Sequence, residues 1–285
     1  DISDLNFLYN VAASDASRLN WQALAEQDDD AYGLDPTALI ALSSADDFSV
    51  VASLFISVDN YVYISGALAI KRRELDAQIV GGASEEMSAL VFGASNLRAF
   101  VGNGNADFDD DGVVDDDAEL AERALGVVLT IDDFALALIK PTAVASAESY
   151  FALKASGSGA LIGIDDVSLS GRLNIEINKV TGAASDASVI DFAASAAADP
   201  DVYGDEAGLE VTTGPAEEDF TLIDFTEKAL SVTGNVSLSL SEFVHVSGSF
   251  AFEKAGTPID VTLVGNTAAE ADQYSVLTIG ASDVN

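Results

Sequence analysis

The segment DFDDDGVVDDD, residues 107–117, sets seven aspartates around one glycine and two valines. With Asp107 as the first position, Asp109 is third, Asp111 fifth, Gly112 sixth, Val113 seventh, Val114 eighth and Asp115 ninth. This is the spacing of a calcium loop of EF-hand or dockerin type. Ca2+ takes six to eight oxygens at about 2.3–2.6 Å, and alternate carboxylates on a tightly turning chain can converge on one point. Glycine at the sixth position permits the sharp turn. The seventh residue offers its backbone carbonyl, and the apolar eighth can anchor the loop to a core. The expected metal ligands are Asp107, Asp109, Asp111, Val113 and Asp115. The twelfth position, where a bidentate carboxylate belongs, is Ala118. Asp116, Asp117 or Glu119 must stand in for it, and Glu119 completes the expected set. The competing reading is a solvated acidic turn. Against it, crowding these carboxylates costs repulsion that a cation relieves, and glycine falls where the motif requires it.

Other chemistry is thinly represented. His245 is the only histidine, on a strand face shared with Phe243 and Ser247, so a Ser-His-Asp arrangement is imaginable. A second copy of that strand, described below, has Tyr63 at the same place, which argues against catalysis. The glycine runs at 102–104 and 157–159 lack the Lys-Ser/Thr and βαβ context of a phosphate loop. Zinc would find one histidine and no cysteine. Paired carboxylates for glycoside hydrolysis have no aromatic groove beside them. Trp21, the single tryptophan, is read as a core residue. Lys71, Arg72 and Arg73 are expected to pair with a neighbouring acidic module. No enzymatic activity is expected.

Composition narrows the partners. Twelve Lys and Arg stand against 48 Asp and Glu, for a net charge of −36. That charge disfavours nucleic acid and anionic lipid headgroups and suits divalent cations, or solubility in a saline habitat. Hydrophobic residues make up 49% and mean hydropathy is +0.26, enough for a buried core. Cysteine is absent, as in many large secreted bacterial proteins. The chain opens at Asp1 with neither a methionine nor a signal segment and is expected to be a processed or excised piece. No apolar run approaches the roughly 18 residues of a spanning helix, so membrane insertion is not expected.

Self-similarity organises the rest. Leu5–Asn10 matches Leu173–Asn178, Ala12–Ser17 matches Ala183–Ser188, Tyr61–Lys71 matches Phe243–Glu253, and Gly93–Arg98 matches Gly280–Asn285. The four matches are collinear and their offset grows, as for one unit with loop insertions. Residues 1–172 hold a first period containing the acidic loop at 107–119. Residues 173–285 hold an incomplete second period, either separate or continuous with the first.

Period-2 alternation fixes the class. Ala229–Lys254 alternates apolar and small polar residues, with Gly234 and Gly248 read as bulges or bends. Similar runs occur at 48–70, 126–140, 150–153 and 161–177. Helical periodicity appears at Asp116–Leu125, whose acidic start suits a helix N-terminus, with a weaker candidate at Arg18–Gln27. Residues 25–37 and 197–219 read as acidic, turn-rich surface connectors, each with an acidic turn before a Tyr-Gly pair at Tyr32 and Tyr203. The expected fold is mainly β: an elongated antiparallel architecture (meander, sandwich or solenoid-like stack) with one short helix after the acidic loop.

The phrases FVHVSGSFAFEK, VLTIGASDVN and YFALKASGSGALIGIDDVSLSGRLNIEIN resemble the tandem repeats of very large secreted, adhesin-like bacterial surface proteins. The resemblance covers most of both periods, including SNLRAFVGNGNADFDDDGVVDDD. It implies a non-enzymatic extracellular building block dependent on Ca2+. The tandem repeat makes neighbouring repeat modules the expected partners, or further copies of the chain through self-assembly at a sheet edge. The other function class kept open is an adhesin module that binds a glycan or partner surface through the connector Ala198–Asp219.

Overall fold

In the computed structural model the alternating runs become strands of one sheet. It describes the chain apart from residues 16, 22, 23, 25–42, 144, 145, 183–186, 205, 217, 242, 257, 258 and 263–271. The large strands are β1 (Ile2–Tyr9), β2 (Asp46–Val58), β3 (Val62–Gln78), β4 (Ser84–Asn103), β5 (Leu125–Pro141), β6 (Ser149–Ile162), β7 (Val167–Thr181), β10 (Ala229–Leu240), β11 (Val244–Lys254) and β14 (Leu277–Ser282). They pair antiparallel in that order, forming a ten-stranded meander. Two small hairpins, β8 (Leu209–Thr212) with β9 (Phe220–Ile223) and β12 (Ile259–Val261) with β13 (Asp272–Tyr274), lie outside it. The expected mainly β, antiparallel architecture is therefore present. The segments matched between periods fall on β1 and β7, on β3 and β11, and on β4 and β14.

Three short helices occur among the described residues, where one was expected. They are α1 (Asp117–Arg123), α2 (Phe192–Ala198) and α3 (Pro200–Tyr203). The first is the helix anticipated after the acidic loop, and Asp116 caps it by accepting hydrogen bonds from the Ala118 and Glu119 amides. Of the weaker candidate over residues 18–27, Trp21 and Leu24 are helical and residues 18–20 are not; residues 22, 23 and 25–37 lie outside the described residues.

The two sides of the sheet differ. One is covered at both ends. At the first end α2, α3 and the β8–β9 hairpin bury Leu75, Met87, Val91, Ile139 and Tyr150 against Ile190, Phe192, Tyr203, Leu209 and Ile223. At the other end the acidic loop and α1 bury Tyr63, Phe100, Val128 and Ile162 against Val114 and Leu120. Bulges keep both groups on one side. In β4 the inward positions are odd at Met87, Ala89 and Val91 but even at Phe100. The slip falls where the register with β3 shifts, near Asn96 with φ 50°. β5 slips in the same way between Ile131 and Asp133, taking the inward set from Val128 to Ala135, Ala137 and Ile139.

Two expectations need correction. Residues 197–219 are not a free surface insertion, since Tyr203, Leu209 and Val211 are buried in the core. The segment looks polar because acidic turns separate its apolar residues, and those residues pay no regard to a single local period. Gly234 and Gly248 are not bulges either. The β10–β11 register runs unbroken through both, and the Phe250 ring lies over the space that a side chain at 234 would take. Gly93 has a different cause: a Cβ there would run into the Thr212 carbonyl, so glycine lets the β8–β9 hairpin lie directly on β4.

Candidate metal centre

The acidic loop joins β4 to α1, and its own hydrogen bonds give it shape. The Asp111 and Gly112 amides donate to the Asp107 carboxylate at 3.0 and 3.2 Å. The Val113 amide donates to Asp111 Oδ1 at 2.8 Å, and the Phe108 amide to Asp115 Oδ2 at 2.8 Å. Asp110 and Gly112 have φ of 57° and 80°, the left-handed conformation that a tight turn asks of glycine. Val114 is buried, and its amide donates to Ser65 Oγ at 2.9 Å. The eighth position thus fastens the loop to β3, as its apolar side chain suggested.

The carboxylates of Asp107, Asp109 and Asp111 each bring an oxygen within 4.8 Å of the others. Asp107 is buried, whereas Asp109 and Asp111 are exposed. An all-oxygen donor set of this kind fits a hard cation such as Ca2+ rather than a softer metal. The remaining expected ligands lie outside this group. Asp115 has one carboxylate oxygen on the Phe108 amide, Val113 follows the turn, and Glu119 stands exposed on the first turn of α1. Of the other two stand-ins for the twelfth ligand, Asp116 caps α1. Asp117 pairs with Arg98 at 2.7 Å, and Arg98 also donates to the Asp115 carbonyl at 2.8 Å. Arg98 therefore ties β4 to the end of the loop and the start of α1, and the Arg123 guanidinium stacks over Phe108, 4.7 Å from its ring centroid.

A second charged group was placed differently by sequence reasoning. Lys71 and Arg73, expected to meet a neighbouring module, pair within the chain with Asp46 at 3.1 and 3.2 Å. Arg72 pairs with Asp47 at 3.1 Å, and Arg18 reaches both Asp47 and Glu74. These partners are distant in sequence and meet only because β2 lies beside β3. Burial holds the Lys71 ammonium below its ordinary range, Arg73 adds to that effect, and Asp46 opposes it. Burial disfavours the Arg18 charge, but Glu74 and Asp47 outweigh it and raise that pKa.

His245 is exposed on β11 opposite Ser239. Its counterpart Tyr63 is buried between Phe55 and Phe100, with its hydroxyl donating to Asn60. Sequence reasoning passed over Asn10 and Asn178, the last residues of the matched segments Leu5–Asn10 and Leu173–Asn178. Both are buried, and each amide donates to two carbonyls of the long segment that follows it. Their collinear placement in the two periods was the available signal.

Fold and loop together define a class: a mainly β protein built on one antiparallel meander, one end of which is closed by an aspartate loop suited to a hard cation. Compared with known proteins, the chain matches no family model, no curated protein and no solved structure.

Proposed function

We propose that the chain is a non-enzymatic structural repeat module of a large extracellular or cell-surface protein, stiffened by calcium and able to continue into neighbouring modules or filaments. One observation carries this reading. The segment between β7 and β10 belongs to the second period, yet α2, α3 and the β8–β9 hairpin close the core over β3–β6 of the first. Each period then completes the hydrophobic core of the one before it. A row of such units folds as a stiff ribbon governed by nearest-neighbour contacts.

Calcium enters this reading at Asp107, Asp109 and Asp111. An ion that binds only the folded loop adds RT ln(1 + [L]/Kd), about 2.7 kcal/mol at a hundredfold excess over Kd. Val114 and Leu120 are buried over Tyr63 and Phe100, so fixing the loop also fixes that end of the sheet. The test is calorimetric calcium titration, with thermal melts in excess Ca2+ and in chelator, for the wild type and Asp109→Ala/Asp111→Ala. Saturable binding with a raised Tm, both lost in the double variant, supports the calcium-stiffened module. Melts that follow ionic strength alone, alike in both proteins, reject the calcium role. Negative-stain images then test assembly: filaments support end-to-end continuation, and monodisperse particles oppose it.

A further inference from the structure

The side of the sheet opposite the two caps has no cover among the described residues. Pairing register carries apolar residues across it from strand to strand: Val101 beside Val127, Leu173 beside Gly234, Phe252 beside Ile279. Leu129 on β5 is 52% exposed and Val236 on β10 is 43% exposed. Between the row of Leu90 and Leu138 and the row of Val101 and Val127, and from Leu230 to Leu240, this face carries no charged side chain among the described strands. Charged residues sit at its margin: Arg72 opposite Leu90, and Lys140, Lys179 and Lys254 beyond Leu138, Ile177 and Phe252.

We propose that this face is the docking surface for a second copy of the chain, the two sheets packing apolar face to apolar face as a sandwich. Area is the first reason. Ten strands spaced by about 4.8 Å, each with about five outward residues, give a footprint of roughly 1,500 Å2. A stable interface needs about 800 Å2 per partner, and the largest apolar patch on a monomer is about 300–600 Å2. Shape is the second reason. Gly159 pairs with Gly171, and Val236 with Gly248. The depression at Gly159 and Gly171, lined also by Leu97, Leu129, Phe134, Leu173 and Phe250, has a volume of about 490 Å3. Ridges of Leu and Val beside a glycine furrow allow a copy of the same face to interdigitate at the ~10 Å spacing of packed sheets.

Chain organisation supplies the third reason. The described segments that give cover, the acidic loop with α1 and the β7–β10 connector, both fall on the opposite side. A further period built alike extends the apolar face without covering it. Charge favours protein over lipid here, since the net charge of −36 opposes an anionic bilayer. It also makes pairing salt-dependent: screening relieves repulsion between two anionic copies, so the dimer strengthens as salt is raised.

The chain has no cysteine, so single thiols can report on each side. Val236 and Ser237 are neighbours on β10, both exposed, and face opposite sides. The experiment is sedimentation of the full chain, with maleimide labelling rates of Val236→Cys and Ser237→Cys. The expected results are a particle of twice 29.4 kDa and labelling at 236 slowed at least tenfold relative to 237. Leu129→Glu with Val236→Glu, checked for retained β-sheet circular dichroism, should return the monomer. A single-chain particle with equal labelling at both positions overturns the proposal. So does a monomer that floats with phosphatidylcholine vesicles, which assigns the face to lipid, and so does clumping that protects both thiols. Filaments in which 236 labels as fast as 237 also overturn it while leaving the structural-module reading intact, because they grow from sheet edges. Loss of calcium binding bears on that reading alone.

Discussion

The Asn178 amide nitrogen lies 3.0 Å from the Ile190 carbonyl and 2.9 Å from that of Glu227, holding together both ends of the segment that closes the sheet. Asn10 does the same one period earlier, donating to the carbonyls of Leu19 at 2.9 Å and Ser43 at 3.2 Å. A buried asparagine at the end of a strand thus gathers a long insertion back onto its own sheet. Asn178→Ala takes this donor from one buried and one partly buried carbonyl. The expected loss is about 2–4 kcal/mol, read as a fall in the urea midpoint with an unchanged slope. Asn178→Asp, which sets a carboxylate against those carbonyls, should cost more than alanine.

Asp46 is the buried hub of the charged group beside β2, within 3.1 Å of Lys71 Nζ and 3.2 Å of Arg73 Nε, and it accepts the Ser43 amide at 2.9 Å. Asp46→Asn takes the carboxylate away from buried Arg73 and half-buried Lys71. The predicted cost is about 3–5 kcal/mol, measured by denaturant unfolding. The Lys71 pKa, already lowered by burial, should drop further once Asp46 no longer opposes that effect, which NMR titration of the ammonium would detect.

Two glycine-to-alanine changes should differ in size for a stated reason. At Gly112 the nearest atom to an added Cβ is Phe55 at 3.9 Å, so Gly112→Ala meets only the strain of φ 80°, about 1–2 kcal/mol. At Gly93 the new methyl meets the Thr212 carbonyl, and the β8–β9 hairpin has to move off the sheet, for about 3 kcal/mol. Thermal melts should rank Gly93→Ala below Gly112→Ala. The reverse order would mean that the hairpin yields more easily than the turn.

Burial raises the Tyr203 phenol above its ordinary value of 10.0, against the Ser195 hydrogen bond and the Arg73 charge, which pull it down. The unfolded chain releases that proton near pH 10 while the folded chain keeps it. The stability this group contributes is complete below about pH 10 and falls as pH rises beyond it. Tyr150, raised by burial and by the Glu148 carboxylate, acts in the same direction. Urea midpoints should therefore hold up to about pH 10 and fall above it. Tyr203→Phe should soften that fall while lowering the midpoint at neutral pH, because it deletes the hydrogen bond from Tyr203 to the Asp76 carbonyl at 3.1 Å.

Local chemistry was legible in the sequence. Alternation over Ala229–Lys254 marks β10 and β11, and the aspartate at the N-terminal end of 116–125 marks the cap of α1. The Asp-x-Asp-x-Asp-Gly spacing marks a loop whose first, third and fifth carboxylates converge. Each depends on residues a few positions apart, so backbone geometry alone relates them. The connector 197–219 was misread because its buried residues, Tyr203, Leu209 and Val211, answer to partners on β3 and β4 rather than to one another.

The sequence by itself determined the strands, their alternation and the aspartate loop, since a period of two and a turn at glycine follow from the geometry of a few consecutive residues. The tertiary structure decided which side of the sheet is closed, because bulges near Asn96 and Ile131 move the inward set from one parity to the other. It also decided that Lys71 and Arg73 meet Asp46, and that the second period's connector seals the first. Those pairings join residues far apart in the chain, and only the packing of strand on strand brings them within reach.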